Sequence, residues 1–174
     1  MDIIFEIMKI LIPGTLVVIA VQIVMNNYHT QQKMRDLAIL KKENKKETIP
    51  IRMQAYERLI LFLERIHPDR LVMRINKPGL SGRDLHLEML RTIRKEYEHN
   101  LAQQLYVSEE AWKLVAFAKE EIVKIINITA SGIKENSSSG DWTAALLKAT
   151  SSLEKMPSDV AISGLKKEFR EQFG

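Results

Sequence analysis

Glu64-x-x-His67 and Glu96-x-x-His99 are the residues of this 174-residue chain whose types and spacing come nearest to chemistry. Two Glu-x-x-His pairs on separate helices, with two further glutamates, make the ligand set of a carboxylate-bridged di-iron bundle. Such ligands must point inward. At about 100° per residue, Glu96 and His99 fall away from the apolar stripe of Leu90, Ile93 and Tyr97, and His99 lies nearly opposite it. Glu64 is also off the stripe of its helix, and His67 stands at a helix end against Pro68. A carboxylate/His metal-binding enzyme is therefore a remote reading. Nucleophilic chemistry has no better footing. The chain has no cysteine, which excludes disulfides and thiolate metal sites, and no serine in a G-x-S-x-G elbow. It has neither a G-x-x-x-x-G-K-[ST] nor a G-x-G-x-x-G phosphate cradle. His86, on an apolar seam, reads as a structural histidine. No catalytic residue, metal ligand or cofactor is expected, and no small-molecule substrate is evident.

The elements that would carry any site read as helices throughout, giving an all-α class. Residues 28–49 are polar, charged and free of Gly, with Pro50 closing the stretch, and form a helical stalk. The residue before a proline avoids helical geometry, so a break is expected at Thr48-Ile49-Pro50. The next helix, 51–67, has a stripe of Tyr56, Leu59, Leu63 and Ile66, and Ile60, Leu61 and Phe62 widen it. A helix apolar this far round is central in a bundle or has a second face for a partner. Residues 69–82 read as an irregular loop, with Leu71 to Ile75 as a short extended segment and Pro78-Gly79 as a turn. Its basic residues Arg70, Arg74, Lys77 and Arg83 are candidates for an acidic partner or a lipid headgroup, against the plainer reading of ordinary surface charges.

Ser81 to Tyr106 reads as a long helix opened by a Ser81/Asp84 cap, with a seam of His86, Leu90, Ile93, Tyr97, Asn100 and Gln104. Asn100 in that coiled-coil-like seam could set register with a partner helix, or Leu101 and Leu105 take over the packing and leave it peripheral. Ser108 caps a helix from Glu109 to about Ala130, whose seam is Ala111, Val115, Ala118, Ile122, Ile125 and Thr129. Residues 134–140 (KENSSSG) read as a flexible linker. Two short amphipathic helices follow, and short helices must dock to persist. Trp142, Phe169 and Phe173 are their candidate partner contacts.

Ahead of all this lies Ile10 to Asn27, eighteen residues without a charge. That is the lower edge of what spans a bilayer as a helix. Pro13 and Gly14 predict a kink, Gln22 is a polar group at membrane depth, and Met25 closes the apolar core. Lys33, Arg35, Lys41, Lys42, Lys45 and Lys46 follow at once. By the positive-inside rule they place the C-terminal part in the cytoplasm and the N-terminus outside, and they can rest on anionic headgroups. From Thr48 onwards 19 Lys and Arg stand against 17 Asp and Glu, too even a balance for a nucleic-acid-binding domain.

The layout is then an anchor (1–27), a basic juxtamembrane stalk (28–49), an antiparallel helical bundle (50–131), a linker (132–141) and an amphipathic tail (142–174). QAYERL, the PG-S turn, EYEHNLAQQLY and the Ala111-Trp112 pair resemble a family of small, single-pass membrane-anchored proteins of Bacteroidota. The resemblance runs from Pro50 to about Ala130. It implies an inner-membrane location and no activity. The expected role is a non-enzymatic scaffold, adaptor or accessory subunit of a membrane complex. The alternative is a homo-oligomeric structural anchor that uses the same seams between identical copies.

Overall fold

The computed structural model describes residues 21, 22, 24–26, 28, 29, 31–35, 48–134 and 136–173. The chain divides into two units, Met1–Ile49 and Pro50–Gly174. In the first, the described residues among 21–35 are helical and solvent-exposed, Gln22, Met25, Lys33 and Arg35 included. The expectations for Ile10, Pro13, Gly14, Lys41, Lys42, Lys45 and Lys46 lie outside the described residues. Among the described residues no helix is long and apolar enough to cross a membrane.

The second unit is all helical: α1 (48–66), α2 (Pro68–Ile75), α3 (Gly82–Asn100), a 3₁₀ turn (Leu101–Leu105), α4 (Glu109–Ser131), α5 (Ser139–Ser151) and α6 (Pro157–Phe173). Thr48, Ile49 and Pro50 are themselves helical, so the expected break is absent there. The pre-proline effect is a bias against helical geometry, and it does not prevail at Ile49. α1 buries Ala55, Tyr56, Leu59, Phe62, Leu63 and Ile66. Each large apolar side chain so removed from water contributes about 1.5–3 kcal/mol.

The loop expected over 69–82 is largely α2, and Leu71 to Ile75 is helix, not an extended segment. Pro68 at its first position needs no amide partner, and Asp69 and Arg74 suit the two ends of the dipole. Leu71 and Val72 enter the core. Gly79, at φ 88°, makes the turn that follows.

α3 is capped by Ser81, whose hydroxyl accepts from the Asp84 amide at 3.1 Å. Its buried line is Leu85, Met89, Ile93 and Asn100: the expected seam holds at Ile93 and Asn100, while Leu85 and Met89 stand where His86 and Leu90 were expected, with Leu90 and Tyr97 flanking. The helix stops at Asn100, where φ −102° and ψ 1° tighten the chain into the 3₁₀ turn. Leu101 and Leu105 do not take over the packing: they are 39% and 77% exposed. α4 buries Ala111, Val115, Ala118, Ile122, Ile126 and Thr129, with Ile126 where Ile125 was expected.

The tail is part of this core. Ser138 and Asp141 exchange a reciprocal cap that starts α5, and Ser138 bridges to Ser81. The Gly82 amide donates to the Ser137 carbonyl at 2.9 Å. A Cβ at Gly82 would meet the Ser137 hydroxyl at 2.6 Å and the Ser137 carbonyl and Trp142 Cβ at 3.2 Å, so a side chain there would turn the hydroxyl aside and crowd α5. The segment expected as a flexible linker is therefore held against α3. α6 lies along α4, with Gly164 directly over Leu114.

Candidate functional site

α1 and α6 pair antiparallel, and a clasp of polar groups holds them. Arg52 donates to the Tyr106 carbonyl at 3.0 Å and to Gln172, and its guanidinium lies 5.1 Å from the Phe173 ring centre. One turn on, the Tyr56 hydroxyl donates to Glu168. Glu168 also accepts from Ser108 at 2.8 Å and Gln172 at 3.0 Å. Burial, then the hydrogen bond to Glu168 and its negative charge, push the Tyr56 hydroxyl up to about 12. Phe169 and Phe173 set their rings edge-on to Tyr56 at 5.6 and 6.3 Å.

Beside the clasp, α1 and α6 together line a groove of about 350 Å³. Its apolar lining is Met53, Tyr56, Ile60, Leu61 and Phe169, with Glu57 on the α1 wall and Lys166 and Arg170 on the α6 wall. Met53 and Leu61, two turns apart on α1, are each 49% exposed. Among the described residues Lys166 and Arg170 have no acidic partner, whereas neighbouring Lys167 pairs with Glu171 at 3.9 Å. The groove offers hydrophobic contact and positive charge.

The residues singled out by sequence are scattered. Glu64 pairs with Arg70, and Glu96 sits 3.3 Å from Arg65 and 3.9 Å from Arg74. These carboxylates, with exposed His99, belong to a polar outer face, and His67 keeps a buried Nδ1 without a hydrogen-bond partner. Among the described residues no three His, Cys, Asp or Glu side chains group to hold a metal. Arg70 and Arg74 are thus engaged in ion pairs on the surface, and Lys77 and Arg83 are exposed. His86 Nε2 meets Asn127 Oδ1 at 2.9 Å.

Four expected partner contacts turn inward. Trp142 is 2% exposed, with its ring tilted against that of His86 at 6.1 Å. Phe169 and Phe173 are half-buried against Tyr56. Asn100 is 6% exposed, neither peripheral nor offered to a partner helix, because its amide donates to the Glu96 carbonyl one turn back at 2.7 Å. What the sequence signalled was the wide apolar face of α1. Phe62 takes the core side of it and Leu61 the outer side. Met53, Lys166 and Arg170 carried no signal, since the groove joins residues more than a hundred positions apart.

A family model described as a family of unknown function (DUF7935) matches residues 2–172. The chain belongs to this family. The DUF7935 match exceeds the stretch that carries the sequence resemblance, taking in the apolar N-terminal run, the basic stretch, α5 and α6. No curated protein and no solved structure matches the chain.

Proposed function

We propose that this DUF7935 protein is an N-terminally anchored adaptor or accessory subunit of a bacterial inner-membrane complex, and not an enzyme. The observation that carries the partner-binding half is the α1/α6 groove, an apolar cleft that joins half-exposed Met53 and Leu61 to the exposed cations Lys166 and Arg170. The membrane half rests on sequence. The uncharged run Ile10 to Asn27 and the six cations from Lys33 to Lys46 favour a single span with the bundle in the cytoplasm. The family resemblance adds Bacteroidota as the source and the inner membrane as the location.

Alkaline carbonate extraction tests the anchor: the full chain is expected to stay in the membrane pellet, and release into the supernatant would overturn it. Purification of a tagged full chain from native membranes in mild detergent tests the role. One stoichiometric membrane complex is the expected result. A clean monomer or homo-oligomer would overturn the adaptor reading.

A further inference from the structure

We infer that the α1/α6 groove receives an amphipathic helix of a protein partner, one edge of which is acidic. This rests on the adaptor reading and names the chemistry of the partner. Shape comes first. A bilayer surface is met by a convex apolar helix face lying in the interface plane. Here the apolar surface is concave, with Tyr56 and Phe169 inside and Met53, Ile60 and Leu61 on the α1 side. A cleft lined by two helices takes a guest that enters it, as in helix-in-groove recognition. Met53 and the aromatic lining suit that use, because methionine adapts to a guest and aromatic residues are enriched at interface cores.

Charge selects the guest. Lys166 and Arg170 stand one turn apart on α6, both exposed and neither with an acidic partner among the described residues. The single carboxylate of the lining, Glu57, is on the opposite wall. The complementary helix carries acidic residues at i and i+4 along the edge facing α6. Towards Glu57 it carries a neutral or basic residue. Helix α4 of a second copy fits less well. It exposes Phe117 and Ile128, but Glu109, Glu120 and Glu121 already pair with Lys113, Lys119 and Lys124, and the remaining carboxylate, Glu110, has no acidic neighbour at i+4.

The test uses the full chain in phosphatidylcholine nanodiscs and a fluorescent stapled peptide. The peptide is a helix of about four turns with leucines at i, i+3 and i+7 and glutamates at i and i+4 along one edge. A second peptide has lysines in place of the glutamates. Fluorescence anisotropy should show the acidic peptide bound at least tenfold more tightly than the basic one. Lys166→Glu with Arg170→Glu should invert that preference. Leu61→Glu should abolish binding of both peptides with the melting temperature unchanged. Equal binding of the two peptides, or an unchanged preference in the double reversal, would overturn the inference.

Two further outcomes would assign the groove to other occupants and so also overturn it. The chain has no cysteine, so Leu61→Cys is a single labelling site. Crosslinking of two copies through that site would put a second copy in the groove. Burial of a fluorophore there in phosphatidylglycerol discs, but not phosphatidylcholine discs, would make it a membrane contact. If the native complex assembles undiminished around the double-reversal variant, the groove inference falls and the adaptor reading stands. A chain that purifies without any partner removes the adaptor reading itself.

Discussion

The two tail helices dock on the same bundle in opposite ways. α5 is absorbed: Trp142 and Leu146 are 2% and 0% exposed, and the chain ahead of α5 is tied to α3 by the Gly82 amide and the Ser137 carbonyl. α6 is absorbed only along α4, where Ala161, Ile162 and Leu165 are buried. Towards its C-terminus it meets α1 through Phe169, Phe173 and the Tyr56–Glu168 clasp, and beside that contact lies open apolar surface. A helix recruited only for stability would be expected to close the gap. The difference separates a structural tail helix from one that also builds a surface.

That contrast can be broken at several points. The largest effect is expected at α5: Trp142→Ala should cost about 3–5 kcal/mol in urea unfolding, as for other buried aromatics. A cost below about 1 kcal/mol would mean that α5 is not a core helix. Gly82→Ala should cost about 1–3 kcal/mol through the crowding at Ser137 and Trp142, read by the same unfolding curves. Tyr56→Phe should cost about 1–2 kcal/mol at neutral pH, because Glu168 keeps Ser108 and Gln172 as donors.

The clasp also has a pH signature. Tyr56 holds its proton more tightly folded than unfolded, so its contribution is complete below pH 10. It is lost as pH rises from 10 through about 12. The wild type should therefore lose about 2–3 kcal/mol more than Tyr56→Phe across that window; parallel curves would mean that the hydroxyl is not held as described. The smallest stability effect belongs to the groove. Met53→Gln with Leu61→Gln should leave stability within about 0.5 kcal/mol while removing peptide binding. A large loss of stability instead would make these residues core and the groove closed.

Much of the fold was legible because helices announce themselves by period. The all-α class, the Ser108 cap and five of the six buried positions of α4 can be read from spacing alone. Other features depend on which of two adjacent stripes faces the core. On α3 the packing selects Leu85 and Met89 over His86 and Leu90, a rotation of one residue that the sequence allows either way. α2 was hidden because an eight-residue helix between prolines carries too few turns to show a period. Trp142 looks like a contact residue in isolation. Only the approach of Ser137 to Gly82 explains why it is buried. The groove is least legible, since its charge comes from α6 and its apolar wall from α1.

The clasp also sets a timetable. Tyr56 and Glu168 are 112 residues apart in the chain, and α1 finds its partner helix only when the last turns of α6 exist. At about 5–20 residues per second, synthesis leaves α1 waiting for roughly 6–20 s. Throughout that interval Tyr56 lacks the Phe169 and Phe173 rings and the Glu168 carboxylate that will cover it. Closure of this bundle thus waits on the synthesis of α6. The nascent domain should be most vulnerable to proteases and to aggregation until that helix is made.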